Sequence, residues 1–277
     1  MAPNALVDTA WLAEHLTDPD LVVLDGSWYL PAMKRNARVE YEAEHIPGAQ
    51  FFDIDAIADR STDLPHMLPS PEEFASAVGA LGVGGGDLVV VYDGAGILSA
   101  PRVWWTFRVF GHERIRVLAG GLPQWKREGR PIETTVRAPK RKTFTPRYRP
   151  ELVRSLAEMR SNVDRQTEQV IDARSRGRFL GTEPEPRPGL KGGHIPGSKS
   201  VPFGEIVKEG ALLDLESLRI AFEKEIDLDR PITASCGSGL TASILALGLH
   251  QLGREDVAVY DGSWSEWGSR DDTPIEK

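Results

Sequence analysis

The feature that most constrains this chain is that it contains itself twice. "DLVVLDGS", with its apolar run ending at Asp25, is echoed by "EQVIDARS" at Asp172, and "EHIPGAQFFDI" by "GHIPGSKSVPF". "DLVVVYDGAG" is echoed by "RPITASCGSG", and "VLAGGLPQW" by "VYDGSWSEW". The landmark pairs Asp25/Asp172, His45/His194, Asp93/Cys236 and Trp125/Trp267 recur in the same order, 142 to 149 residues apart. So small a drift needs only a few loop insertions and deletions, and whatever one half folds into the other must fold into as well. The 277 residues also exceed the usual size of one hydrophobic core and favour two domains.

Each half carries short Val/Ile-rich runs bounded by Gly, Pro and Asp, with helical patterns such as "SPEEFASAVGALG" and "LESLRIAFEKEI" between them. Buried strands alternating with helices predict an α/β fold, made twice: tandem duplicated domains, each a parallel sheet flanked by helices. "SPEEF" starts like a capped helix, with Ser70 as N-cap, Pro71 in the first turn and Glu72 and Glu73 complementing the dipole. The segment "RAPKRKTFTPRYRPELV" is Pro-rich and basic, lacks apolar periodicity and reads as a solvated connector. It places the domains at 1–142 and 143–277, with the second domain's first strand starting at Phe144 or later.

Charge and cysteine content narrow the function. With 33 Lys+Arg against 41 Asp+Glu the net charge is −8, which speaks against nucleic acid or anionic lipid as partner. The first residues lack a basic stretch followed by an apolar one, and no window is long and apolar enough to cross a bilayer, so the expectation is a soluble, cytoplasmic protein. The one cysteine, Cys236, admits no intrachain disulfide, and no Cys/His spacing suits a metal.

Cys236 falls at the carboxyl end of the strand "PITAS", ahead of a helix, "TASILALGLHQLG", ended by Gly253. Open α/β sheets place their ligands at that end. Gly237, Ser238, Gly239, Leu240 and Thr241 follow, and two glycines so close let the backbone curl until several N–H groups converge. Such a nest, continued by a helix N-terminus, favours an anion and would favour an ionised thiol over a neutral one, making Cys236 a nucleophile. A lone cysteine can also be inert filling, but filling belongs inside the strand or on the helix's inner face, not at the head of a Gly-x-Gly turn. A cysteine-dependent phosphatase needs an arginine six residues after its nucleophile; here that residue is Ala242. In the first half Asp93 stands where Cys236 stands in the second, and a carboxylate offers no thiol, so that half is expected to be catalytically silent.

"SCGSGLTA", both "HIPG" stretches, "APRVWWTFRVFGH", "GRFLGTEPEPRPG" and "YDGSWSEWG" together resemble the two-domain rhodanese superfamily, in its 3-mercaptopyruvate sulfurtransferase branch, over nearly the whole chain. The resemblance implies sulfur transfer from 3-mercaptopyruvate through a Cys236 persulfide to a thiol or cyanide, without a metal or organic cofactor. The acceptor would be thioredoxin or a low-molecular-weight thiol. Thiosulfate as main donor, or a non-catalytic persulfide carrier, are the alternatives. The thiosulfate-using branch typically has basic side chains in the two positions after the cysteine, where this chain has Gly237 and Ser238.

The resemblance also implies that Arg178 and Arg187 hold the donor's carboxylate and carbonyl; read alone, each is a solvated charge or an ion-pair partner of Glu183 or Glu185. It further implies that Ser238 works with Asp55 and His66 of the first half. Read alone, Ser238 serves equally to shape the turn, and His66, in a Pro-flanked loop, reads as a surface residue. Trp104, Trp105, Trp264 and Trp267 are expected to be structural. His45 and His194 are expected to fix the loops that enter a strand.

Overall fold

The computed structural model describes residues 5–277. The first half runs β1 (Leu6–Val7), α1 (Thr9–His15), β2 (Leu21–Asp25), α2 (Ala37–Ala43), β3 (Gln50–Phe51), α3 (Pro71–Ala80), β4 (Leu88–Tyr92), α4 (Ala100–Val109), β5 (Ile115–Leu118) and α5 (Gly121–Arg127). The second runs β6 (Val153–Arg154), α6 (Leu156–Arg165), β7 (Gln169–Asp172), α7 (Arg176–Phe179), β8 (Lys199–Ser200), α8 (Phe203–Ile206), a small hairpin β9 (Val207–Lys208) and β10 (Ala211–Leu212), α9 (Leu215–Glu223), β11 (Ile232–Ser235), α10 (Ala242–Gln251), β12 (Ala258–Tyr260) and α11 (Ser263–Trp267). The five-stranded sheets have orders β1-β5-β4-β2-β3 and β6-β12-β11-β7-β8, which become the same order once each strand is matched to its repeat. All pairings within both sheets are parallel.

Alternation along the central strands explains the layers. On β4, Val89 and Val91 face one apolar cluster while Val90 and Tyr92 face another, the period-2 pattern of a strand covered on both faces. On β11, Ile232 and Ala234 face the larger cluster, and Cys236 continues the same register into it. That cluster is shared: it takes Val103, Trp104 and Phe107 from α4 and Ile244, Leu245 and Leu249 from α10, and the two helices pack on each other. Every residue of α4 and all of α10 as far as His250 are buried, as helices apolar on most of their surface must be.

Local signals behave as expected. Ser70 and Glu73 form a reciprocal capping box at the start of α3, with Pro71 in the first turn. The four tryptophans Trp104, Trp105, Trp264 and Trp267 are at most 1% exposed. His45 Nδ1 lies 2.7 Å from Tyr41 O and His194 Nδ1 2.9 Å from Phe179 O, each fixing its "HIPG" loop.

The connector departs from the solvated reading. Phe144 is buried against Phe74, Phe107 and His112 of the first half, and Lys142 both donates its N–H to Gly79 O and pairs with Asp87 at 2.8 Å. One aromatic ring outweighs the surrounding basic residues because its burial is worth about 1.5–3 kcal/mol. The first strand of the second half begins at Val153.

Candidate active site

The loop after β11 forms the expected curl, with Gly239 at φ +75°. The N–H groups of Cys236 and Gly239 both point to Ser263 Oγ, at 3.1 and 3.0 Å, and that hydroxyl donates to Tyr260 O at 2.8 Å. Among the described residues the N–H groups of Gly237, Ser238, Leu240 and Thr241 find no protein acceptor. Thr241 gives α10 no side-chain cap either. The cup therefore has several donors left for an anion. Cys236 lies at its head and is 1% exposed, more enclosed than a nucleophile in an open cleft, because it prolongs the inward-facing register of β11.

The first half shows what such a cup holds. Asp93 turns its carboxylate into the equivalent loop: Oδ1 accepts the Ala95 N–H at 2.9 Å, and Oδ2 accepts those of Leu98, Ser99 and Ala100 at 2.8, 2.9 and 2.9 Å. Ser99 makes no side-chain cap on α4, so Asp93 serves as its cap from a distance.

Two arginines approach the cysteine loop from the excursion after α7. Arg178 is paired, with Nε and Nη2 at 3.2 and 2.5 Å from Glu185 Oε2. Its guanidinium lies across Gly237, where a Cβ would stand 3.0 Å from Nη2. Glu185, whose side chain is 2% exposed, also takes Arg174 at 2.7 Å, and the fully buried Arg174 is bound in turn by Asp172. Of the two acidic partners expected for Arg178, Glu185 is the one found. Arg187 is half-buried and has no hydrogen bond or ion pair among the described residues. Burial lowers its affinity for the proton, and Cys236 and Asp55 work against that shift, so its charge lacks a committed counterion.

Asp55 and His66 come together: His66 Nδ1 is 2.8 Å from Asp55 Oδ1, and Asp55 Oδ2 accepts from Trp28 Nε1 at 2.9 Å. His66 is buried, not a surface residue, at φ +63°, with its ring edge-on to Trp28. Burial lowers its pKa below the usual 6.5 even though Asp55 pulls the other way, so the imidazole is neutral at pH 7. The His66 hydrogen bond in turn lowers the pKa of Asp55. With Nδ1 facing the carboxylate, Nε2 is buried without a hydrogen-bond partner among the described residues. Ser238 is buried in the cup, and among the described residues no hydrogen bond joins it to His66 or Asp55.

Sequence reasoning missed Ser263. It occupies the repeat position of Gly121, and the two share an unusual backbone, φ +48° and +53°. A Cβ on Gly121 would stand 2.4 Å from Asp93 O, whereas the second half accommodates a side chain there and uses it. Setting "LAGGLP" against "YDGSWS" and asking why a glycine became a serine would have exposed it.

A family model described as "Rhodanese-like domain" matches residues 8–128 and 155–270. The chain belongs to the rhodanese-like family. Each matched segment covers four strands of one sheet, with the edge strands β1 and β6 lying just before them. The chain is 49% identical over 98% of its length to "Thiosulfate/3-mercaptopyruvate sulfurtransferase 1, mitochondrial" of Arabidopsis thaliana, covering 78% of that protein. It is 46% identical over 96% of its length to the 3-mercaptopyruvate sulfurtransferase of Homo sapiens, covering 93% of it. Among solved structures, an Escherichia coli 3-mercaptopyruvate sulfotransferase with the rhodanese fold superposes with a TM-score of 0.87 at 40% identity, over 94% of this chain and 99% of that one. No helix among the described residues is long and apolar enough to cross a membrane.

Proposed function

We propose that this rhodanese-like protein is a sulfurtransferase that takes sulfur from 3-mercaptopyruvate. The observation that carries the reading is Cys236 at the head of a backbone cup whose copy in the first half already holds an anion, the Asp93 carboxylate. The Cys236 thiolate attacks the donor's sulfur. The donor's C–S bond breaks, its electron pair leaves on carbon as pyruvate enolate, and that carbon takes up a proton. The new S–S bond leaves a persulfide whose outer sulfur meets the N–H groups of Gly237, Ser238, Leu240 and Thr241.

Arg187 and Arg178 face the donor's carboxylate and ketone, planar forks suited to both. His66, neutral and held by Asp55, handles the proton, and Ser238 lies in the cup of the reacting cysteine. A thiol, thioredoxin or a small one, or cyanide then removes the outer sulfur. The scheme calls on no metal or organic cofactor, and the cytoplasm suits a protein whose one thiol must stay reduced between turnovers. Thiosulfate is a second donor to weigh, since it is named with 3-mercaptopyruvate for the Arabidopsis relative.

Mass spectrometry after donor treatment should find one added sulfur on Cys236; turnover with an unmodified cysteine would refute the scheme. Steady-state comparison of 3-mercaptopyruvate and thiosulfate in the parent, Arg178→Ala and Arg187→Ala should show a loss confined to the keto acid. An equal loss with both donors would remove the arginines from carboxylate binding.

A further inference from the structure

Arg102 lies on α4, in the half without a nucleophile, yet it is 2% exposed and its partners come from both halves, His66 from its own and Asp261 and Gly239 from the other. Its Nη2 is 2.7 Å from Asp261 Oδ1 and also donates to the carbonyl of His66; its Nη1 is 3.4 Å from the carbonyl of Gly239 in the cysteine loop. The second oxygen of Asp261 accepts the N–H of Leu68 at 2.8 Å, two residues beyond His66. The guanidinium rests over the Trp105 ring at 4.6 Å, which orients its plane. A Cβ on Gly239 would stand 2.8 Å from Arg102 Nη1, so the second glycine of the loop is what admits the cation.

His66 needs such support. Its φ of +63° is a backbone conformation that residues with a side chain seldom adopt, and it is the carbonyl of this residue that Arg102 holds. The charged groups facing its ring are Asp55, Arg102 and Arg187.

We infer that Arg102 is a positioning residue for sulfur transfer, a single planar fork that fixes the backbone of His66 and the cysteine loop at Gly239 relative to one another. The first half thereby sets the spacing between the proton-handling imidazole and the sulfur. The inference rests on the role proposed for His66, while the contacts themselves do not. Lysine could keep the ion pair with Asp261 but has no planar fork with which to reach both carbonyls.

Arg102→Lys is therefore the decisive variant, studied in the full chain with two readouts. NMR titration of the His66 imidazole without donor should show it moving from its depressed value towards 6.5 as the loop loosens. Single-turnover persulfide formation from 3-mercaptopyruvate should slow about 10- to 100-fold, the usual cost of displacing a catalytic group by an ångström, with little change in KM. An unmoved His66 titration, or a persulfide rate within twofold of the parent, overturns the inference. Should Arg102→Lys fail to fold, the double variant Arg102→Gln/Asp261→Asn buries neither charge alone and is read by its persulfide rate, since loss of the Arg102 charge shifts the His66 titration by itself. A parent that forms no persulfide defeats the functional reading instead, and the titration then decides the placement of His66 by itself.

Discussion

The loops that begin with Asp93 and Cys236 are copies with opposite contents. Asp93 satisfies four N–H groups and caps α4, so its cup is filled by the chain itself. Cys236 makes no such use of its cup. Two of the N–H groups there are drawn off by Ser263, and others find no protein acceptor among the described residues. The surroundings diverge in step. Asp25 in the first half has Ser27 beside it, and burial pushes it up to about 6, whereas its counterpart Asp172 is paired with the buried Arg174, which reaches through Glu185 to Arg178. The anion-holding loop is thus a property of the repeat. On the proposed function, the chemistry comes from N–H groups that no side chain of the loop claims and from the cations brought alongside.

That contrast can be attacked from either side. Cys236→Asp rebuilds the second loop on the plan of the first: activity should fall at least about 1,000-fold while the thermal midpoint holds or rises, and a sharp fall in midpoint would show that the two cups are not equivalent. Asp93→Ala empties the first cup, where the side chain is fully buried, and urea unfolding should lose about 2–4 kcal/mol through N–H groups left without an acceptor. Ser263→Gly copies Gly121 into the second loop. Persulfide formation should slow about tenfold, with stability changed by no more than about 1 kcal/mol because relief of the positive φ offsets the lost hydrogen bonds.

The smallest effect concerns pH and lies outside the cups. Burial, aided by Arg108 and Arg116, pushes His250 down to about 3. The folded protein then binds fewer protons there than the unfolded chain, so this stability is complete above 6.5 and is lost as pH falls towards 3, by up to about 1.4 kcal/mol per pH unit. Asp25, raised to about 6, works in the other direction between 3.8 and 6. Comparing the parent with His250→Gln in urea at pH 7 and pH 5 isolates the histidine, and the variant should show the flatter dependence.

Much of this was legible in the sequence because repetition doubles every signal. The two parallel sheets flanked by helices, the cysteine at a strand end, Gly239 as a turn residue and the capped α3 all rest on local rules. What escaped depends on contacts between distant segments. Nothing in "APRVWW" says that Arg102 reaches Asp261 and His66, and nothing in "DGSWS" says that Ser263 bends under Cys236. The basic connector misled for a similar reason: Phe144 finds a pocket made by α3 and α4, which no window around it reveals. The enclosure of Cys236 was readable only once the register of β11 was known.

The pairing of α4 with α10 has a consequence for how the molecule comes apart. Because the largest apolar cluster draws on both copies, cutting the chain between them would lay bare the apolar side chains that α4 and α10 bury against each other. The duplicated gene product has therefore become indivisible: although its pattern is written twice, it should melt in one calorimetric transition, and a fragment bearing either copy should aggregate where the whole chain stays dissolved.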